Sequence, residues 1–273
     1  MRTTRRQDIV TSHCRIAVES AGYGSPVVFI RGNSACRQVF QKQLASTLLD
    51  NYHMITFDLP GHGDSSDATD PERTYTLPGL ADLTVELLYE LGIGKAAVVG
   101  ASLGGHVAIE MLDHSTIPQG LFLMGTPSLG ADMAEGFRGR PLGGLGAKPA
   151  LDPQEVERFA TAVFGANAER FMYQAIERTD KAFRGTLFEG AARGLGIDQR
   201  EALTTSPILS AIVHGEDDQI INLDYVDSVA YANLWQDTCF RIPHVSHSPF
   251  WEASERANSL LADFLADVTR TWP

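Results

Sequence analysis

Gly100-Ala101-Ser102-Leu103-Gly104 stands between an apolar, β-prone segment (96–99) and a segment with apolar residues at helical spacing (105–112). A serine between small residues on a tight turn from strand to helix is the nucleophile elbow G-x-S-x-G. Such a turn strains the backbone of the serine, and neighbouring Cβ atoms would clash, so small residues are required around it. The helix that follows directs its free N–H groups and positive dipole end toward the serine. The stretch therefore predicts Ser102 as a nucleophile.

Composition and charge exclude several classes of protein. The chain has 273 residues, of which 44% are hydrophobic and 21% charged, which is typical of a globular protein. This length allows one large α/β domain with an insertion, or two small domains. A net charge of −12 argues against nucleic-acid and anionic-membrane partners, because both require a basic face. No apolar run approaches the roughly 20 residues of a membrane span.

The chain start and the cysteines suggest a compartment. Residues 1–6 are basic, but polar Gln7 and Asp8 follow them in place of an apolar signal core. Cys14, Cys36 and Cys239 are scattered and form no C-x-x-C pair. An odd number of separated cysteines fits reduced thiols better than a disulfide framework. We therefore expect a cytoplasmic protein, and its oligomeric state stays open.

Strand and helix signals alternate in the first half of the chain. The pattern predicts strands at 13–19, 27–30, 54–57, 96–99 and 121–124, and helices at 39–49, 76–91 and 105–112. Buried strands separated by helices indicate a mostly parallel sheet that is covered by helices on both faces.

The alternation stops after Gly125-Thr126-Pro127 and resumes some eighty residues later. Residues 152–193 indicate helices only, whereas strand signals return at 208–213 and 238–242 and a helix follows at 253–268. We predict an α/β core formed by residues 1–127 and 204–273, with a helical cap (128–203) inserted after the sixth strand. An insertion at this point lies over the carboxyl ends of the strands, where such sheets bind ligands. Some of its aromatic side chains should therefore line a pocket.

A serine nucleophile needs a base and a third group that orients the base. The loop after the strand at 208–213 offers three adjacent carboxylates, Glu216, Asp217 and Asp218. The segment after the last strand offers two histidines, His244 and His247. The order serine, acid, histidine is that of the α/β-hydrolases and differs from the orders in chymotrypsin and subtilisin.

The whole chain resembles an α/β-hydrolase-fold enzyme with a helical cap. The segments that match this superfamily, in order, are Ile30–Asn33, Asp58–Ser65, Gly100–Gly104, Gly215–Asp218 and Ser246–Pro249. The resemblance implies Asp218 as the acid, three residues after the glycine, and His247 as the base, two residues before a proline. It leaves Glu216, Asp217 and His244 as exposed loop residues or as hydrogen-bond partners of the triad.

Two backbone N–H groups must stabilise the oxyanion that forms when Ser102 attacks a carbonyl. Leu103, the residue after the nucleophile, supplies one of them. The loop after the strand at 27–30 supplies the other, which we assign to Asn33. Superfamily members often carry His-Gly in this loop, where this chain has Arg31-Gly32. Arg31 either pairs with a nearby acid and fixes the loop, or is solvated.

The other histidines give no further chemistry. His62 belongs to the turn Pro60–Gly63, which is structural in the superfamily, and His106 and His114 are interpreted as packing or surface residues on the helix after the elbow. No H-x-H-x-D-H or H-E-x-x-H spacing occurs. The sequence therefore implies neither a metal nor another cofactor.

Further segments resemble a smaller group, the metal-independent N-acyl-homoserine lactonases of this fold. The matching stretches cover nearly the full length and are Arg31–Cys36, Phe57–Ser66, Asp70–Tyr75, Ser102–Met111, Met124–Pro127, Glu177–Asp180 and Asn233–Trp235. The chain departs from this group at Ala101, where the group has tryptophan, at Phe159, where a cap tyrosine faces the lactone, and at Asp218, where the acid is glutamate. Loss of the tyrosine hydroxyl removes a possible hydrogen bond to substrate, and alanine enlarges the floor of the site.

The resemblance implies a serine hydrolase of carboxylic esters that opens the lactone ring of N-acyl-homoserine lactones. Its binding partner is therefore a small molecule, the ester or lactone substrate. The acyl tail would lie near Ala101 and against the cap side chains Phe137, Phe159, Phe164 and Met172. The alternatives are a general carboxylesterase for short acyl esters and a ligand receptor without catalysis. The complete triad argues against a receptor, and Ser102 argues against haloalkane dehalogenase chemistry, which needs an aspartate at the elbow.

Overall fold

The computed structural model describes residues 4–270 and residue 272. Its strands are β1 (Arg5–Val10), β2 (Arg15–Ala21), β3 (Ser25–Ile30), β4 (Tyr52–Phe57), β5 (Ala96–Ala101), β6 (Pro118–Met124), β7 (Ser210–Gly215) and β8 (Leu234–Ile242). They form one 8-stranded sheet in the order β1-β2-β4-β3-β5-β6-β7-β8. Strands β3 to β8 pair in parallel, and β1 and β2 join the edge as antiparallel strands. The prediction of a mostly parallel sheet is confirmed.

Helices pack on both faces of this sheet. They are α1 (Gln41–Leu44), α2 (Pro71–Thr74), α3 (Leu77–Glu90), α4 (Leu103–His114), α5 (Pro153–Phe164), α6 (Arg170–Arg178), α7 (Lys181–Ala192), α8 (Gln199–Thr205), α9 (Leu223–Ser228), α10 (Pro249–Glu252) and α11 (Ser254–Thr269). Among the described residues, no helix is long and apolar enough to cross a membrane.

The central strands are apolar on both sides, so each strand contributes to two hydrophobic cores. On β3, Val28 and Ile30 belong to the core that contains α3 and α4, whereas Val27 and Phe29 belong to the core that contains α11. This division follows from the period of two in strand side-chain direction. All four side chains are fully buried, which fixes the sheet register and therefore the positions of the loops at the strand ends.

The predicted cap contains α5, α6, α7 and most of α8, between β6 and β7. A small core of its own joins α5 to α6 through Phe159 and Ile176. The cap also binds the turn after β4: the Asp180 N–H donates to the Gly61 carbonyl at 2.8 Å, and the Tyr75 hydroxyl donates to the Asp180 carboxylate at 2.6 Å. The boundaries at residues 128 and 203 stay a prediction.

One local prediction is wrong, and one strand was not predicted. The helix expected at 39–49 is divided into a 3-10 turn (Arg37–Phe40), the short α1 and a second 3-10 turn (Thr47–Asp50). Here the Ser46 hydroxyl accepts the Leu48 N–H and starts the second turn. The sequence pattern also gave no indication of β1, whose side chains are mostly exposed because only its backbone joins the sheet at β2.

Candidate active site

Ser102 occupies the turn between β5 and α4 with φ of 52° and ψ of −119°. A non-glycine residue in this region is strained by about 1–3 kcal/mol. Hydrogen bonds hold the strained turn: the Ser102 N–H donates to the Met124 carbonyl at 2.8 Å, and the Thr126 hydroxyl donates to the Ser102 carbonyl at 2.8 Å. The elbow is therefore fixed from the neighbouring strand β6.

Glycines around Ser102 are required because backbones approach closely. A Cβ on Gly104 would lie 1.9 Å from the Ile30 carbonyl oxygen, and one on Gly105 would lie 2.1 Å from Thr126 Oγ1. A Cβ on Gly100 would lie 2.4 Å from the Gly105 Cα. The close approach presses the start of α4 against the ends of β3 and β6, with Ser102 between them.

His247 and Asp218 form a buried hydrogen-bonded pair. His247 Nδ1 lies 2.8 Å from Asp218 Oδ2, and the two residues are 3% and 0% exposed. The second carboxylate oxygen, Oδ1, accepts the N–H groups of Ile220 at 2.7 Å and Ile221 at 3.1 Å. Burial alone would raise the pKa of Asp218, but the attraction and hydrogen bond of His247 and the Ile220 N–H outweigh it and lower the pKa below its ordinary value. Asp218 is therefore ionised and can orient His247.

The loop that carries His247 is held on both sides of the histidine. Glu252 Oε2 accepts the Ser246 N–H at 3.2 Å, and Oε1 accepts the Ser248 N–H at 3.0 Å. The Ser248 hydroxyl donates to the Val163 carbonyl in the cap at 2.6 Å. In the described structure Ser102 Oγ and His247 form no hydrogen bond, and such bonds often tighten only when substrate binds.

The loop after β3 brings Asn33 beside the elbow. A Cβ on Gly32 would lie 3.3 Å from the Ser102 Cβ, so this loop contacts the serine directly. The Asn33 side chain donates to the Gly146 carbonyl in the cap at 3.0 Å and accepts the Ser34 hydroxyl at 2.8 Å. Leu103 is the first residue of α4, and its N–H has no acceptor within the helix.

Arg184 of the cap supports the same loop. Its Nε donates to Ser34 Oγ at 2.8 Å, and its other nitrogens donate to the carbonyls of Ile176 at 2.8 Å and Pro149 at 3.1 Å. Burial lowers the pKa of Arg184 to about 10, so the guanidinium remains charged at neutral pH. Ser34 has a φ of 58°, and Arg184 therefore stabilises a strained residue next to Asn33.

A narrow cavity of about 90 Å³ lies between these loops and the cap. Eight of the ten residues assigned from the sequence border it together: Ala101, Ser102, Leu103, Asn33, His247, Phe137, Phe159 and Phe164. Asp218 lies behind His247. Met172 does not border the cavity: it is fully buried in the core, where its sulfur accepts the Glu169 N–H at 3.4 Å.

The other candidates for the acid and the base, and Arg31 of the loop after β3, do not border the cavity. Asp217 and His244 are exposed. Arg31 is 0% exposed and has no ion-pair partner in the part of the chain that the structure describes: its Nη1 donates to the Gly32 carbonyl at 2.6 Å, whereas the nearby Asp58 pairs with Arg37. Burial lowers the pKa of Arg31 to about 10, against the attraction of Asp58.

Sequence reasoning missed several residues of the cavity. The larger apolar ones are Leu142, Val163, Leu187, Phe188, Ile220 and Phe250. His106, interpreted as a packing residue, also borders the cavity. It stands one helical turn after Ser102, so the helical period would have placed it near the serine. Among the described residues, no group of three or more histidines, cysteines and acidic residues could hold a metal ion.

Comparisons with known proteins agree with this geometry. The model of the Alpha/beta hydrolase family matches residues 27–260. The solved structure of a mutant of N-acyl homoserine lactonase AidH with N-hexanoyl homoserine lactone is similar over 97% of this chain and 99% of that one, with 35% identity and a TM-score of 0.95. Another AidH structure, complexed with N-butanoyl homoserine, has a TM-score of 0.95 over 98% of this chain and 99% of its own.

Among curated relatives, the AB hydrolase superfamily protein YisY of Bacillus subtilis (strain 168) is 24% identical over 92% of this chain and 96% of its own length. The match of the family model covers most of the chain, so the chain belongs to the alpha/beta hydrolase family. Its resemblance to the N-acyl-homoserine lactonases, expected from short segments, is confirmed over nearly the whole fold.

Proposed function

We propose that this carboxylic ester hydrolase opens the lactone ring of N-acyl-homoserine lactones, with Ser102, His247 and Asp218 as its catalytic triad. The observation that carries the proposal is the buried His247–Asp218 hydrogen bond of 2.8 Å at a cavity that also contains Ser102. The likeness to AidH over both core and cap supports the lactone as substrate. A small-molecule ester also suits a mostly apolar cavity with few polar groups.

In the first half-reaction, Ser102 Oγ attacks the lactone carbonyl while His247 Nε2 accepts the hydroxyl proton. Asp218 accepts the Nδ1–H of His247, which leaves Nε2 free to act as the base. The N–H groups of Leu103 and Asn33 stabilise the oxyanion. Collapse of the tetrahedral intermediate breaks the ring C–O bond, and His247 protonates the leaving alkoxide.

In the second half-reaction, His247 removes a proton from water, which attacks the acyl-enzyme. The bond between the acyl carbon and Ser102 Oγ breaks as His247 returns the proton to Oγ, and the open-chain hydroxy acid leaves. The acyl tail would lie against Phe137, Phe159 and Phe164, which are apolar. Each buried CH₂ contributes about 0.8 kcal/mol, so kcat/KM should rise about fourfold per methylene until the cavity is full.

A general carboxylesterase for short acyl esters is the second candidate. Phe159 favours it, because an apolar ring in this wall offers no hydrogen bond to the oxygens of a lactone. Ala101 favours it too, because a small side chain leaves the floor open to compact acyl groups.

One experiment separates the two candidates. The purified protein is assayed on N-acyl-homoserine lactones of increasing acyl length and on p-nitrophenyl esters of matched acyl length. Opening of the lactone ring is measured by the acid that it releases. We expect lactone kcat/KM to equal or exceed that of the esters. Turnover of the esters with no measurable turnover of any lactone would contradict the lactonase proposal and favour the carboxylesterase.

We also propose that the enzyme acts in the cytoplasm. Cys14, Cys36 and Cys239 are free thiols, which suits a reducing compartment. Burial raises the pKa of Cys14 and Cys36 to about 11, so neither thiol competes with Ser102 as a nucleophile. Fractionation of cells that produce the protein would test the location, and recovery in a periplasmic or extracellular fraction would contradict it.

A further inference from the structure

His106 borders the cavity, and one of its two ring nitrogens is used in a fixed hydrogen bond. It lies on α4 one turn after Ser102 and is 8% exposed. Its Nδ1 lies 2.7 Å from Gln199 Oε1, at the start of α8. Gln199 is itself 2% exposed, and its Nε2 donates to the His106 carbonyl at 3.3 Å. Nδ1 is therefore engaged, and Nε2, which forms no hydrogen bond in the described structure, is the ring nitrogen left for a ligand in the cavity that His106 borders.

The Gln199 contacts decide which nitrogen of His106 carries the proton. The His106 carbonyl can only accept a hydrogen bond, so the Gln199 NH₂ group must face it. The amide oxygen then faces Nδ1, which must donate. His106 is therefore the tautomer with Nδ1–H, and Nε2 is an acceptor. Burial lowers the pKa of His106 to about 4, so the ring stays neutral at pH 7.

The other polar side chains at the cavity are already in use. Both ends of the Asn33 amide are hydrogen-bonded, and the Ser248 hydroxyl donates to the cap. Ser102 and His247 take part in the proposed reaction. Among the polar side chains at the described cavity, His106 thus has a ring nitrogen, Nε2, that takes part in neither a structural hydrogen bond nor the proposed reaction. In this tautomer Nε2 can only accept a hydrogen bond.

We propose that His106 is a specificity-determining residue whose Nε2 accepts a hydrogen bond from an N–H group beside the reacting carbonyl. This inference rests on the proposed function and assigns to His106 the recognition of the acylated amine next to the ring carbonyl of the lactone. The amide N–H of an N-acyl-homoserine lactone is the donor in that molecule, and the bond would orient the ring carbonyl toward Ser102.

The cost of a missing donor sets the size of the effect. A substrate without the N–H group would cover Nε2 and leave it without water or a partner, and an unpaired buried polar atom is destabilising. Sites that bind a substrate N–H or O–H discriminate against analogues that lack it. We expect a ten- to hundredfold lower kcat/KM for the analogue.

The test compares N-hexanoyl-homoserine lactone with its analogue in which CH₂ replaces the amide N–H, with p-nitrophenyl hexanoate assayed alongside. A wild-type preference of tenfold or more for the amide supports the inference. Equal kcat/KM for the two lactones overturns the inference and leaves the lactonase function intact. Hydrolysis of the p-nitrophenyl ester alone contradicts the proposed function, and the inference falls with it.

Two variants locate the effect at His106. His106→Phe keeps the ring and removes the acceptor, so the preference for the amide should fall to about one. His106→Gln keeps an acceptor and should retain part of the preference. An unchanged preference in His106→Phe overturns the assignment. The wild-type comparison tests the inference without either variant and decides it if a variant does not fold.

Discussion

Asp218→Asn should inactivate the enzyme because the structure determines how the new amide must lie. Asp218 Oδ1 accepts two backbone N–H groups, from Ile220 and Ile221. An asparagine at this position must keep its carbonyl oxygen there, since its NH₂ group would face two donors in the opposite orientation. The NH₂ group then replaces Oδ2 beside His247 Nδ1. His247 can pair with it only as the tautomer with its proton on Nε2.

In that tautomer Nε2 cannot accept the Ser102 proton, so the base is lost while the fold is kept. The same exchange in a serine protease triad costs about 10⁴ in kcat, which corresponds to about 5 kcal/mol at 1.36 kcal/mol per tenfold. Asp217→Asn is the matched control, because Asp217 is exposed and its N–H bonds to the Val245 carbonyl independently of its side chain. We expect its kcat to change by less than about tenfold.

The assay is steady-state hydrolysis of p-nitrophenyl butyrate and of N-hexanoyl-homoserine lactone, with circular dichroism to verify folding. Asp218→Glu is a second control, because it keeps two acceptor oxygens and should retain more activity than Asp218→Asn. A folded Asp218→Asn protein with more than a tenth of wild-type kcat would refute the tautomer argument. A greater loss in Asp217→Asn would show that the acid is misassigned.

Four further changes test other parts of the site. Ser102→Ala should leave a folded protein whose kcat is lower by about 10⁴–10⁶, and a tenth of wild-type turnover would disprove the nucleophile. Activity should survive exhaustive dialysis against EDTA; loss on chelation with recovery on added zinc would reveal a metal site. Phe159→Tyr should change kcat/KM for the lactone more than for a p-nitrophenyl ester, because only the lactone carries ring oxygens that the new hydroxyl could hydrogen-bond; equal effects would show that Phe159 serves the core of the cap alone. Arg184→Met should leave Ser34 and the buried Ile176 carbonyl without their donor, cost about 1–3 kcal/mol in urea unfolding and lower kcat; an unchanged kcat would show that the contact between Arg184 and Ser34 does not position Asn33 for catalysis.

The sheet and the elbow could be predicted because their sequence signals are local. Val27–Ile30 and Ala96–Val99 are short apolar runs, and the small residues around Ser102 reflect backbone contacts that tolerate no side chain. Chain order alone restricted the candidates for the acid to one loop and the candidates for the base to another. The choice of Asp218 over Asp217 depended on family resemblance, because both are carboxylates in the same loop.

What escaped prediction depends on contacts between distant segments. Met172 is apolar, as a cavity residue would be, but the packing of α6 directs its side chain into the core and away from the cavity. The acceptor role of His106 requires Gln199, which is far away in sequence and gives no motif. β1 forms because its backbone pairs with β2. Its side chains are mostly exposed, so its sequence shows no hydrophobic period that would predict a strand.

The proposed reactive groups stand at the ends of four parallel strands that come from both halves of the chain: Asn33 follows β3, Ser102 follows β5, Asp218 follows β7 and His247 follows β8. No pair of neighbouring segments contains the site. The site forms only after β7 and β8 have paired beside β6, although the whole inserted cap separates β6 from β7 in the sequence. Pairing of such distant segments is slow because loop-closure entropy must be overcome first. Regain of hydrolysis during refolding therefore reports completion of the sheet, and helical signal should return before it.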